Sequence, residues 1–253
     1  LQVVKICREN KSKGKDKILR LLSEVEGVYV PVYPKNVNKL TKKLDECIYT
    51  PILSEDAFFK NTFIIEMARG CYNRCGFCLA SYLNLPLRCV PYDDLIKTIE
   101  LGLNYTNKIA LLGAQISAHP QFHDVCRYIY NKIENGHQIE MSVSSLRVDA
   151  VTDDVIKTLA ACGQKNSTLA IEAGSERLRK VINKNLSEEI VSWSHELQGQ
   201  GIKMYILSNT NKKEKVENVA KKLEIEYEYF AKKPSKKGFI KVQKKLNLKA
   251  ENI

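Results

Sequence analysis

No stretch of these 253 residues approaches the ~18 uninterrupted apolar residues that cross a bilayer, so no membrane association is expected. The opening, Leu1 to Arg8, is too short and too charged for a secretory signal. It also lacks an initiator Met, which reads as a fragment. There is no low-complexity tract, and no internal repeat beyond an alternation of strand and helix patterns. Eight cysteines without a secretory signal do not make a disulfide scaffold; they imply a reducing compartment, the cytoplasm, with thiols free for metal or redox work. What is present is ordinary: 44% hydrophobic and 27% charged residues exclude collagen-like and disordered chains and supply enough apolar side chains for a core. The length suits one large domain or two small ones.

The net charge of +11 is uneven. Residues 1–45 hold 11 basic and 5 acidic side chains, residues 46–202 hold 15 and 18, and residues 203–253 hold 14 and 6. A protein coated by nucleic acid would be basic throughout, whereas basic ends on an acidic middle fit either RNA-binding tails or Lys-rich solvated helix faces.

Residues Lys5 to Leu22 read as one basic helix with Ile18, Leu19, Leu21 and Leu22 on its apolar side. GVYVPVYP (27–34) is extended because of its prolines, and 35–60 is a connector with short strand or turn pieces. From Thr62 the alternation is regular. Strands are expected at 62–68, 108–114, 139–145, 167–173, 201–208 and 225–230. Helices are expected at about 91–103, 121–134, 152–161, 175–183, 188–199 and 212–223. Strands separated by such helices make βαβ units and a parallel sheet. The fold class is therefore α/β: a partial (β/α) TIM-like barrel or an open doubly wound sheet, with the functional face at the C-terminal strand ends.

The segment Arg69-Gly70-Cys71-Tyr72-Asn73-Arg74-Cys75-Gly76-Phe77-Cys78 follows the first long strand. Gly70 and Gly76 let its backbone wrap tightly. Three thiolates spaced C-x-x-x-C-x-x-C on one loop can hold three irons of a [4Fe–4S] cluster and leave the fourth open. The alternative is a structural zinc site completed by Cys89 or a His, but zinc favours paired knuckles and a second C-x-x-C is absent. Cys7, Cys47, Cys89, Cys126 and Cys162 are scattered and read as small buried hydrophobes. His119 and His123, four apart, read as loop and first-turn residues rather than a metal pair, and Trp193 as helix packing.

This motif resembles the cluster motif of the radical S-adenosylmethionine enzymes. IIEMARGCYNRCGFCLASYLNLPLR, LLGAQISAHP, VSSLRVDA and IEAGSERLRKVINK extend the resemblance over residues 25–189, toward a subgroup that often carries a preceding cobalamin-binding domain. The resemblance implies that the open iron chelates S-adenosylmethionine, that reductive cleavage yields a 5′-deoxyadenosyl radical, and that the radical takes hydrogen from a substrate the sequence does not identify. It implies a one-electron reductant such as flavodoxin or ferredoxin as partner, with cobalamin dependent on a domain this chain lacks. By position, Cys71, Cys75 and Cys78 are the metal ligands. Phe77 flanks the adenine, Gly113 and Gln115 meet the methionine amino group, Ser145 and Arg147 lie toward its carboxylate, and Glu172 accepts the ribose hydroxyls. Ser144 ends the same strand, and Arg179 and Lys184 are weaker candidates for the carboxylate. Catalytic residues proper are not assigned.

After about Glu189 the text instead resembles the middle of a haloacid-dehalogenase-like phosphatase of the YqeG type, over residues 193–246. Ser208-Asn209 would match its phosphate-binding strand end and Lys233 its phosphate-neutralising lysine. The Asp-x-Asp nucleophile motif is absent, so no hydrolysis is expected. The expected organisation is a basic helix and linker over 1–60, a partial barrel core over 61–189, and a C-terminal βα(β) extension over 190–253 that is either an incomplete phosphatase-like segment or additional barrel strands. The competing functions are a radical S-adenosylmethionine enzyme, a zinc-stabilised RNA-binding module and an inactive phosphatase fragment.

Overall fold

A computed structural model of the chain describes residues 1–143, 146–164, 169–184, 186–208, 210, 212–229 and 244. It divides into two compact units, Leu1–Lys43 and Leu44–Ile253. In the first, the expected single basic helix is two: α1 (Gln2–Glu9) and α2 (Lys15–Ser23), separated by a 3-10 turn at Lys11–Lys13. The break falls at Gly14, whose φ of 83° is open to glycine at little cost. Asn10 closes α1 by donating its side-chain amide to the Ile6 carbonyl at 2.9 Å. The Arg20 guanidinium lies 5.5 Å from the centre of the Tyr33 ring. Residues 27–34 carry no helix, only a bridge between Val30 and Tyr33.

The second unit begins with β1 (Ile48–Tyr49), β2 (Phe63–Glu66), β3 (Ala68–Arg69), α3 (Leu79–Leu83) and β4 (Arg88–Cys89). There follow α4 (Tyr92–Leu103), β5 (Lys108–Leu112), α5 (Phe122–Glu134), β6 (Glu140–Val143) and α6 (Asp153–Ala161). The remaining elements are α7 (Glu176–Val181), α8 (Glu189–Gly199), β7 (Tyr205–Ser208), α9 (Lys213–Leu223) and β8 (Glu226–Tyr229). The main sheet has the order β1-β2-β5-β6. Strands β2, β5 and β6 are parallel, because α4 and α5 carry the chain back between them, and β1 pairs antiparallel at the edge.

Alternation along the strands sets the core. Phe63 and Ile65 of β2, Ile109 and Leu111 of β5, and Met141 of β6 face one side and are buried. Leu95 and Ile99 of α4, Val125 and Ile129 of α5, and Val155 and Leu159 of α6 complete the same cluster, each pair at the i, i+4 spacing of one helix face. Asp93 and Asp94 open α4, and Asp153 and Asp154 open α6, where carboxylates favour the positive end of the helix.

The later strands differ from expectation. Of the strand read at 167–173, Ser167 and Thr168 lie outside the described residues; the rest is reduced to one parallel bridge between Leu146 and Leu169. Strand β7 starts at Tyr205 rather than 201. It pairs in parallel with β8 across α9, in a two-stranded sheet of its own. Among the described residues the parallel sheet therefore does not close into a barrel, and β7 and β8 do not extend it. The fold is a mixed α/β arrangement around a parallel sheet, consistent with a partial barrel. Among the described residues, no helix is long and apolar enough to cross a membrane.

Candidate metal centre

The cysteine loop leaves the C-terminal end of β2, as the sequence predicts. Its base is fixed by an element the sequence does not announce: β3 and β4 pair antiparallel, Ala68 opposite Cys89 and Arg69 opposite Arg88, pinching residues 70–87 into a closed loop. Met67 ties this base to the sheet, donating its N–H to Leu112 at 3.0 Å and accepting that of Val90 at 3.0 Å. Gly70 turns the chain into the loop with φ 92°, and a Cβ there would lie 2.3 Å from the Asn84 carbonyl oxygen. Gly76 does not have the wrapping role expected of it, since its φ is not in the left-handed range and a Cβ would meet open space. Within the loop, Cys78 donates its N–H to the Cys75 carbonyl at 2.9 Å, and Ser81 donates its hydroxyl to the Cys78 carbonyl at 2.9 Å.

The three cysteines are free thiols. Cys75 is buried, while Cys71 and Cys78 are half-buried. Burial pushes the Cys75 thiol up, and its neighbours Lys184 and Arg147 act in the opposite direction. Among the described residues, no three His, Cys, Asp or Glu side chains are grouped to hold a single ion. Cys89 sits in β4 at the loop base, its thiol pushed up by burial. The donor set fits an iron–sulfur cluster: three thiols on one loop, with Lys184 and Arg147 near enough to Cys75 to offset anionic charge.

The loop is also held from the far side. Gly76 donates its N–H to the Ile182 carbonyl at 3.0 Å. Asn183, with φ 59°, donates its side-chain amide to the Asn73 carbonyl and, at 3.2 Å, to that of Arg74. The turn after α7 thereby packs against the cysteines.

The other expected site residues divide. Glu172 takes a left-handed conformation (φ 71°), and its carboxylate pairs with Lys184 at 3.6 Å. Lys184 is buried and pairs with Glu172, and its positive charge acts to lower the Cys75 thiol. Arg147 is near Cys75, but its guanidinium fork is held bidentately by Asp149, at 2.8 and 2.9 Å. Phe77 is exposed. A Cβ at Gly113 would lie 2.9 Å from the Ala68 carbonyl oxygen. Gln115 is buried and turned onto the loop, its Oε1 accepting from the Cys71 thiol at 3.2 Å and from the Asn73 amide. Ser144 and Ser145 lie outside the described residues.

Arg179, read from the sequence as a weak carboxylate ligand, is 1% exposed and bonded to the chain itself. It donates to the carbonyls of Leu186 (2.8 Å), Ala173 (3.0 Å) and Ser187 (3.1 Å), and to the Glu188 carboxylate (3.2 Å). Its geometry is that of a clamp. His119 is buried, accepting the Gln121 N–H on Nδ1 at 3.1 Å and facing the Val90 carbonyl through Nε2 at 2.8 Å, which assigns the proton to Nε2. His123 instead faces the Thr152 hydroxyl at 3.4 Å. Trp193 packs partly buried against Val148, Leu186 and Ile190. Ser208 ends β7 and accepts the Thr210 N–H at 3.3 Å; Asn209 and Lys233 lie outside the described residues. Asn73 was not singled out from sequence, and its only signal there was its place between two of the cysteines.

The sequence profile of the Radical SAM superfamily matches residues 65–223, which includes α8, β7 and α9, the stretch the sequence likened to a phosphatase. An uncharacterized protein of Methanocaldococcus jannaschii is 35% identical over 190 residues, covering 71% of this chain and 41% of that protein. The tRNA-2-methylthio-N(6)-dimethylallyladenosine synthase of Acetivibrio thermocellus is 26% identical over 135 residues, 49% of this chain and 28% of its own. That of Fusobacterium nucleatum is 26% identical over 172 residues, 62% of this chain and 36% of its own. The chain thus spans well under half the length of these relatives. A match over more than half of its residues, a range that includes the loop just described, establishes that the chain belongs to the radical S-adenosylmethionine superfamily, a family of enzymes that use a [4Fe–4S] cluster and S-adenosylmethionine.

Proposed function

We propose that this chain carries the cluster and S-adenosylmethionine site of a radical enzyme, with Cys71, Cys75 and Cys78 as the three protein ligands. The observation that carries the reading is the cysteine loop: three free thiols at the end of the first parallel strand, pinned by β3–β4 on one side and Asn183 on the other. When bound, the group supplies one electron and an open iron for reductive cleavage of the S-adenosylmethionine sulfonium bond. The chain's part is placement. Lys184 offsets the charge of Cys75 as its thiol gives up a proton to solvent on ligation. Glu172, oriented by Lys184, accepts hydrogen bonds from ribose hydroxyls, and Phe77 offers an exposed face to adenine. Gly113, just beyond β5 and packed against Ala68, lies toward the methionine amino group. Arg147 exchanges the half-exposed Asp149 for the methionine carboxylate, which suits the same fork. A one-electron reductant of the flavodoxin or ferredoxin kind is the implied partner.

Anaerobic reconstitution with iron and sulfide tests the assignment. The wild-type chain should take up a cluster with broad absorbance near ~400 nm, a charge-transfer band of thiolate-ligated iron. Ala at Cys71, Cys75 or Cys78 should abolish it, and Cys89→Ala should retain it. A full cluster in Cys75→Ala would sink the assignment.

For the substrate we propose an RNA. Support comes from relatives named as tRNA-modifying synthases and from the exposed basic side chains Lys11, Lys13, Lys15 and Lys17 at the start of the chain. Cobalamin, suggested by the subgroup that residues 25–189 resemble, is a separate proposal, tested by whether cobalamin added to the reconstituted chain shifts its spectrum.

A further inference from the structure

We propose that Asn73 is a positioning residue for the Cys71 ligand: its side-chain amide keeps an N–H on the Cys71 sulfur, and Gln115 holds that amide with nitrogen rather than oxygen toward the cluster. The proposal rests on the iron–sulfur reading above.

Three side chains meet here. Asn73 Nδ2 lies 3.4 Å from Cys71 Sγ and also donates to Gln115 Oε1, and with those two acceptors side by side one N–H is shared between them. Gln115 is 5% exposed and reaches the loop from just beyond β5, a different element, with its oxygen set toward Cys71 and Asn73. The free Cys71 thiol donates to that same oxygen at 3.2 Å. On taking iron, the sulfur releases its proton to solvent and becomes an acceptor only. Gln115 Oε1 then loses one donor, and the Asn73 N–H stays shared between that oxygen and the thiolate. Turning the Asn73 amide over would set Oδ1 against both the thiolate and Gln115 Oε1, two acceptor–acceptor contacts in a half-buried site. The orientation is thus decided by chemistry as well as by packing. The Asn73 backbone is fixed independently, its carbonyl accepting the Asn183 amide.

An N–H directed at a cluster thiolate stabilises the reduced, more negative form more than the oxidised one and so raises the reduction potential. The test is a redox titration of the reconstituted holoprotein, followed by electron paramagnetic resonance of the reduced cluster. Asn73→Leu, of similar shape but without a donor, should disfavour reduction about tenfold, a shift of ~59 mV to more negative potential for one electron. Gln115→Leu, which frees the Asn73 amide to turn, should shift the potential in the same direction by less. A loaded Asn73→Leu cluster with an unchanged or more positive potential overturns the proposal. If neither variant loads, wild-type holoprotein labelled with amide-¹⁵N asparagine decides: a ¹⁵N coupling to the reduced cluster in pulsed resonance supports the bond, and its absence overturns it. A wild-type chain that never assembles a cluster would defeat the underlying reading instead, so the two failures are distinct.

Discussion

Arg179, Arg147 and Lys184 show what a residue's position in the sequence conveys and what it withholds. Arg147 follows β6, and Arg179 and Lys184 lie in α7 and the turn after it, so each reads as a possible partner for an anionic ligand. The structure gives them three different tasks. Lys184 pairs with Glu172, Arg147 is held by Asp149, and Arg179 is consumed by three carbonyls and Glu188. Those carbonyls belong to residues six to eight positions away in chain, a spacing no helical or strand periodicity reports. Buried carbonyls left without donors are costly, so Arg179→Lys, which keeps the charge but loses the fork, should destabilise the chain by about 3 kcal/mol. Urea denaturation of wild type and variant measures this. A loss below about 0.5 kcal/mol, the scale of an ordinary surface substitution, would show that the clamp is not structural.

At the scale of elements, periodicity performed well where a segment packs by a single stripe or face. Helices α4, α5 and α6 and strands β5 and β6 fall within a few residues of their expected bounds, because the i, i+4 and i, i+2 apolar spacings that bury them are local. The two-residue strands β3 and β4 were not legible, since their pairing joins residues about twenty positions apart and has no alternation to read. The strand expected at 167–173 carries a strong β pattern, yet its described residues make a single bridge, at Leu169, and Ile171 packs instead against the Val148–Leu186–Ile190 cluster. The β3–β4 base makes Gly70 decisive. Any side chain there must accept a left-handed backbone and meet the carbonyls of Asn84 and Pro86. Gly70→Ala should therefore cost about 2 kcal/mol of local stability, read as faster amide exchange across 68–69 and 88–89, and should lower cluster yield on reconstitution. Exchange and yield equal to wild type would mean that the loop does not depend on this turn.

For the whole molecule, the three-cysteine loop after the first parallel strand was enough to indicate the family, because that motif is local and its chemistry demands both the residue type and the spacing. How β7 and β8 would pair was not legible: a βαβ unit reads the same whether it extends a sheet or forms its own, and here β7 and β8 pair only with each other among the described strands. The charge distribution is the remaining global feature, and it bears on the substrate. The main sheet lies in an acidic stretch of sequence, while Lys11, Lys13, Lys15 and Lys17 are exposed around a 3-10 turn and the first turn of α2, with one acid, Asp16, among them. If these side chains neutralise RNA phosphates, binding must release counterions and weaken steeply with salt. Four contacts correspond to roughly a 100-fold loss of affinity between 50 and 200 mM salt. Replacing all four lysines by Gln should flatten the slope of log affinity against log salt for transfer RNA by about 3. The side chains are exposed, so stability and cluster loading should not change. A quadruple variant that binds transfer RNA with the wild-type salt slope would place the RNA contacts elsewhere. A wild-type chain whose affinity does not respond to salt would remove phosphate recognition from the account altogether.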